Sequence, residues 1–182
     1  MAIRAMQVQL AVPSHWPIQE QPDGATRVIV PGHEHSPDLW LTVRPLLPLP
    51  LDPRRWVQTA PLAVESDGQM ARLDKTEATQ TTTGYPLWLA YSQLTARSAT
   101  SEAGSLDSDA ARTPIQVRVH AFYQFLEYAA EVVIVATSAA RLQAHVDELV
   151  QLLKSAKPDF RGPQVVALSE LWATAQTDSG AQ

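Results

Sequence analysis

The chain reads as an α+β fold, with a mostly antiparallel sheet flanked by helices and a long helix toward its C-terminal end. Three stretches predict this. Residues 115–137, "IQVRVHAFYQFLEYAAEVVIVAT", hold an alternating run and a β-branched run separated by a short break, the pattern of two antiparallel strands. Residues 85–95, "YPLWLAYSQLT", are apolar on both faces, and a strand buried on both sides needs a layer above and below it. Residues 138–158, "SAARLQAHVDELVQLLKSAKP", place Leu142, Val146, Leu149, Val150 and Leu153 at helical spacing. Strands, a short helix, longer strands and a closing helix sum to a sheet with helical cover on one or both faces.

Taken in order, Met6, Val8, Leu10 and Val12 alternate with Gln7 and Gln9, which predicts a half-buried strand over 6–12. "PSHWPIQEQPDG" carries the Pro and Gly of a loop. "TRVIVPG" is a second strand, stopped by Pro31 and Gly32, and "DLWLTVRPLLPLP" a third. In the third, Leu39, Leu41 and Val43 oppose Trp40, Thr42 and Arg44. Asp52 is an N-cap and Pro53 suits the first helical position, so "LDPRRWVQTA" starts a short helix with Trp56, Val57 and Ala60 on its apolar side. Pro61 is expected to stop it. Residues 69–83 are polar and threonine-rich, an exposed strand or pair ending at Gly84.

Residues 98–113 contain one large side chain, Leu106, and read as a mobile loop. In the strand that follows, Ile115, Val117, Val119, Ala121, Tyr123 and Phe125 share one face, and Gln116, Arg118, His120, Phe122 and Gln124 share the other. The hairpin corner falls near residues 126–128, although no Asn-Gly or Asp-Gly pair marks it. Ser138 can cap the final helix, Lys154 and Lys157 suit its C-terminal dipole, and Pro158 ends it. The organisation expected is one α+β domain over 1–160 and an extension over 161–182. The extension is helical over 164–175, then frayed.

Composition removes several classes of function. A net charge of −5 argues against a general nucleic-acid binder, which needs many Lys and Arg to displace counterions. The absence of cysteine removes disulfides, thiolate nucleophiles and cysteine-based zinc sites. The run at 120–137 is interrupted by Gln124, Glu127 and Glu131 and is shorter than the ~20 apolar residues of a span, so membrane insertion is not expected. The N-terminus alternates where a secretory signal is continuously apolar, so a cytoplasmic location is expected.

Chemistry is sparse. All seven glycines are isolated, so no phosphate-binding glycine loop can be built. "GHEHSPD" could offer His33, His35, Glu34 and Asp38 to a metal, but no second ligand pair follows at zinc spacing, and a solvated loop is the preferred reading. "RPLLPLPLDP" matches a P-x-x-P ligand, yet a strand end leading into a proline-started helix accounts for it. Glu127 and Glu131 sit near the hairpin corner, where solvent-facing glutamates are ordinary. His120 shares a face with Arg118, Phe122 and Gln124. That face suits a binding surface, and it suits equally a sheet surface under the helix of Trp56. No catalytic residue, metal or cofactor is expected. The candidate partner-binding residues are Trp88, Arg118, His120, Phe122 and Gln124.

The order "VQLAVPSHW", "WLTVRPLLPLP", "DPRRWVQ", "GYPLWLAYSQL", "FYQF…VVIVAT" and "LLKSAKPDF" resembles the PsbP-like α/β/α sandwich, in its bacterial DcrB-type branch. That branch includes the Eag-type chaperone-adaptors of type VI secretion. The resemblance covers roughly residues 5–160 and lies in pattern rather than in an invariant motif. It implies a non-enzymatic protein-binding module that cradles an apolar segment of an effector, and pairing as a homodimer. No single residue carries over. Two alternatives stand beside it. One is a small-molecule or metal binder using His33 and His35 or His120. The other is a scaffold subunit docking through the flat sheet or through the tail stripe of Leu168, Leu171 and Trp172.

Overall fold

A computed structural model describes residues 7–32, 37–63, 69–96 and 115–159. In chain order the strands are β1 (Gln7–Gln9), β2 (Ile18–Glu20), β3 (Thr26–Ile29), β4 (Leu39–Val43), β5 (Leu47–Pro48), β6 (Gln69–Gln80), β7 (Pro86–Ala96), β8 (Gln116–Phe125), β9 (Tyr128–Ala136) and β10 (Lys157–Asp159). The helices are α1 (Pro53–Thr59), α2 (Ala139–Ala144) and α3 (Val146–Lys154), with a 3-10 turn at Ala60–Leu62. An eight-stranded sheet runs β2-β3-β4-β9-β8-β7-β6, with β5 paired to β9 beside it. Every pairing in it is antiparallel.

The alternation of β8 decides which face carries the core. Val119, Ala121, Tyr123 and Phe125 point to one side, where they meet Leu41, Leu87, Leu89 and Ile134 of neighbouring strands and Leu149, Leu152 and Leu153 of α3. Trp16 and Val28 close that core beside β3. The Tyr123 hydroxyl donates to the Leu153 carbonyl at 3.0 Å, and burial pushes its pKa far above the ordinary tyrosine range, so it stays a donor. Thr82, in the β6–β7 turn, donates its backbone N–H to the Lys154 carbonyl at 2.8 Å and so satisfies another orphan carbonyl of the helix end.

The hairpin turns at Leu126 and Glu127, with Phe125 opposite Tyr128. Leu126 takes φ = 57°, the left-handed region in which a branched residue is strained. Its side chain is 69% exposed and contributes little packing in return. Leu126→Gly is therefore expected to stabilise the fold by about 1 kcal/mol, read as a higher urea midpoint at unchanged slope.

Four expectations need correction. The closing helix is not one long rod. It breaks at His145 (φ −120°, ψ 9°) into α2 and α3, so the fold is dominated by its sheet. Arg141 in α2 is anchored to the Pro31 carbonyl at 2.7 Å and to Asp38 Oδ1 at 3.0 Å, and it also contacts the His145 ring. The break lets α2 keep that anchor while α3 lays its leucines on the sheet, a demand that helical periodicity does not register. Of the expected stripe, Leu149 and Leu153 are buried and Leu142, Val146 and Val150 only partly so, while Leu152 is buried too.

The strand expected over 6–12 is shorter among the described residues, Gln7–Gln9, and pairs with β10 in a separate two-stranded sheet. Pro158 therefore sits in a strand, three residues beyond the last helical turn has closed at Ser155. The "PSHWPIQEQPDG" loop contains β2, an edge strand exposed at every position, which has no buried face to betray it. Pro61 lies buried in the 3-10 turn, and α1 has ended ahead of it at Thr59, as expected. Asp52 does cap α1, accepting from the Arg55 backbone N–H at 3.0 Å, with Pro53 at the first position. The loop 98–113, His33, Glu34 and His35, and the extension with Leu168, Leu171 and Trp172 lie outside the described residues.

Candidate functional site

The second face of the sheet carries three cross-strand rows. Arg27, Thr42, Val133, His120 and Ala90 are successive partners from β3 to β7. One row up, Trp40, Val135, Arg118 and Ser92 are aligned. One row down, Glu131 pairs with Phe122 and Phe122 with Trp88. Arg44 joins that row, its backbone N–H donating to the Glu131 carbonyl at 3.0 Å.

The helical cover on this side is short, so it seals only part of the face. Val57 of α1 packs with Ala90 and Phe122, and Trp56, Ala60, Leu73 and Trp88 close around them. The Trp56 ring meets Phe122 edge-on at 4.5 Å. Over β9, β4 and β3 the face stays open as a cleft of about 420 Å³. Thr42 and Val133 form its floor, Trp56 and Ala60 one side, and Gln21, Asp23 and Arg27 the other. Small residues at mid-row between longer ones at its ends make the hollow.

A buried polar chain lies in this cleft. His120 Nδ1 is 2.8 Å from Glu131 Oε1, and Glu131 Oε2 is 3.2 Å from an Arg44 guanidinium nitrogen. His120 is 5% exposed and Glu131 6%. Glu131 is therefore not a solvent-facing corner residue, and the expectation that it was is corrected. A carboxylate oxygen accepts, so the nitrogen that faces it, Nδ1, donates its N–H, and Nε2 is left to offer its lone pair. The imidazole also stacks on Phe122 at 6.0 Å, which fixes its plane. His120 Nε2 has no hydrogen-bond partner among the described residues, and neither has the buried Nε of Arg27. Arg27 leans across β4, its guanidinium carbon 5.7 Å from the Trp40 ring centre.

Of the five residues expected to bind a partner, Arg118 and His120 line the cleft. Arg118 is braced by Gln116 Oε1 at 3.0 Å and by the Ala63 carbonyl at 3.4 Å. Phe122 is wholly buried beneath Trp56, so it supports the site from below and presents no surface. Trp88 and Gln124 are half-buried and stand outside the cleft lining. Arg27, Trp40, Arg44 and Glu131 escaped the sequence reading. Glu131 had left a signal: a lone carboxylate inside the run "AAEVVIVA" falls on the same face as His120 once the hairpin corner is placed. Arg27 left none, since its neighbours are set by three successive strand registers.

No serine or cysteine lines the cleft among the described residues. Nor do the described residues bring three His, Asp or Glu together at metal-binding distance. No helix among them is long and apolar enough to cross a membrane. The arrangement can bind: two tryptophans offer apolar walls, and arginines and an oriented imidazole offer polar contacts.

No family model matches the chain, and no curated protein matches it. Among solved structures it is similar to the solution structure of cyanobacterial PsbP (CyanoP) from Synechocystis sp. PCC 6803. The TM-score is 0.54 at 12% sequence identity, over 87% of this chain and 95% of that one. At that identity the likeness shows the fold, which is PsbP-like.

Proposed function

We propose that this chain is a non-enzymatic protein-binding module that holds a segment of a partner in the cleft between α1 and the β2–β3 edge. The observation that carries the reading is the cleft lining, where Trp40 and Trp56 stand with Arg27, Arg44 and Arg118. Aromatic residues and arginine are the types enriched at protein interfaces and at their energetic centres. The DcrB-type resemblance refines this to a cytoplasmic chaperone-adaptor of the Eag kind, covering an apolar segment of a secretion effector as a homodimer. An apolar segment exposed in water aggregates unless covered. The tryptophan walls would meet its side chains while the arginines and His120 reach its polar groups.

Co-purification of the products of neighbouring genes with the tagged chain tests it. A bound partner is expected, and Trp40→Ala and Arg118→Ala should each weaken its capture by at least about tenfold while leaving the unfolding midpoint near that of the parent. A chain that recovers no partner at any salt concentration overturns the proposal.

A further inference from the structure

We infer that two copies of this chain join through the free edge of β6, antiparallel about a two-fold axis at Thr76; the inference rests on the homodimer proposed for this chain. β6 lies at one end of the large sheet, paired among the described residues with β7. It is the longest strand among them, Gln69–Gln80, and is exposed at every position from Asp74 to Ala78. The opposite edge, β2, spans only Ile18–Glu20. The Thr81 backbone N–H donates to the Tyr85 carbonyl at 2.9 Å, so by alternation Thr79, Glu77 and Lys75 turn their backbone groups toward β7. Thr76 and Ala78 turn theirs outward, where a further strand can bond them.

Charge selects both the occupant and its register. Lys75 and Glu77 share one face and are joined at 2.6 Å. Tyr91 holds both, its ring centre 4.4 Å from the Lys75 ammonium and its hydroxyl 3.4 Å from Glu77. A two-fold at Thr76 sets Lys75 of each copy opposite Glu77 of the other, so four side chains close a ring of alternating charge. Thr76 meets its own counterpart there, and the two exchange N–H···O bonds. An axis at Lys75 or at Glu77 brings like charges face to face, and one at Ala78 sets both charges against threonines. Lysines and bulges ordinarily keep sheet edges apart. Here the lysine meets a glutamate, and the bulge falls at Asp74, where it ends the ladder without interrupting its centre. Asp74 itself is matched within the chain by Arg72 at 3.0 Å. A ladder confined to residues 74–78 is short, which places the association in the weak, reversible class. Because the axis stands perpendicular to the sheet, the two clefts open on the same side, roughly 40 Å apart, and one partner can engage both.

Analytical ultracentrifugation of the full chain over a concentration series tests this. A monomer–dimer equilibrium is expected with a Kd between about 1 µM and 1 mM, and amide exchange at Thr76 and Ala78 should slow as concentration rises. Thr76→Pro removes an N–H that β7 does not use, so it should abolish dimerisation and leave the unfolding midpoint of the monomer near that of the parent. Lys75→Glu and Glu77→Lys should each weaken the dimer by at least about tenfold, since the two-fold counts every substitution twice. Lys75→Glu combined with Glu77→Lys restores the alternating ring and should return the Kd to within about threefold of the parent value. A dimer that Thr76→Pro leaves intact, or a combined exchange as weak as either single one, overturns the inference while the homodimer itself stands. A chain that stays monomeric at about 1 mM overturns both.

Discussion

Phe125→Ala is expected to cost about 3–5 kcal/mol of unfolding free energy, the range for emptying an aromatic site in a packed core. Phe125 is fully buried at the end of β8, where its ring meets Tyr85 edge-on at 5.0 Å and stacks with Tyr123 at 5.4 Å. Tyr123 lies within β8 and Tyr85 in the β6–β7 turn, where its backbone exchanges hydrogen bonds with Thr81, so both have little freedom to collapse into the space. Tyr123 in particular is tied through its hydroxyl to Leu153. The loss should spread to α3, whose leucines pack on the same cluster. Urea unfolding followed by far-ultraviolet circular dichroism reads the change as a lower midpoint. Phe125→Leu fills most of the volume and should lose clearly less. A Phe125→Ala midpoint within 1 kcal/mol of the parent would mean that this aromatic cluster is not the core of the fold.

Glu131→Ala should destabilise by about 3 kcal/mol, the lower end of the range for removing one partner from a buried ion pair. Two groups lose their acceptor together. His120 cannot reach water, being 5% exposed, and its Nδ1–H is left unpaired. Arg44 suffers less, because 56% of its side chain is exposed and can be rehydrated. This difference places the expected cost low in the range. The double substitution His120→Phe with Glu131→Leu removes both buried polar groups and should recover most of the loss, since apolar replacements of such pairs are often neutral or better. Equilibrium unfolding of the single and double variants, compared as a cycle, measures this. If the single variant costs no more than the double, the His120–Glu131 contact does not hold the face together.

Parts of this were legible in the residues and parts were not. The strand pair at 115–137 was legible because one face is buried at nearly every position, and side chains alternate with period 2 whatever lies around them. Asp52 and Pro53 announced α1 through local hydrogen bonding alone. β2 was not legible, because an edge strand exposed throughout has no pattern to show. The break at His145 was not legible either, since Arg141 bends the helix by gripping Pro31 and Asp38, more than a hundred residues earlier. Within the candidate site, Arg118 and His120 could be found by alternation. Arg27 could not, and alternation put Arg44 with Trp40 and Thr42 without telling that their face is also that of His120.

From the amino-acid order alone came the α+β class, the burial of the β8–β9 hairpin and the face to which each of its side chains belongs. These follow from short-range geometry, in which a residue's neighbours two to four positions away decide its environment. The tertiary structure alone decided that Arg27, Thr42, Val133 and His120 form one row, that Glu131 is buried against His120, and that α1 leaves a cleft open over β4 and β9. Such a row depends on registers set by the packing of distant strands, and a single-residue slip in any one of them would turn its side chains to the opposite face.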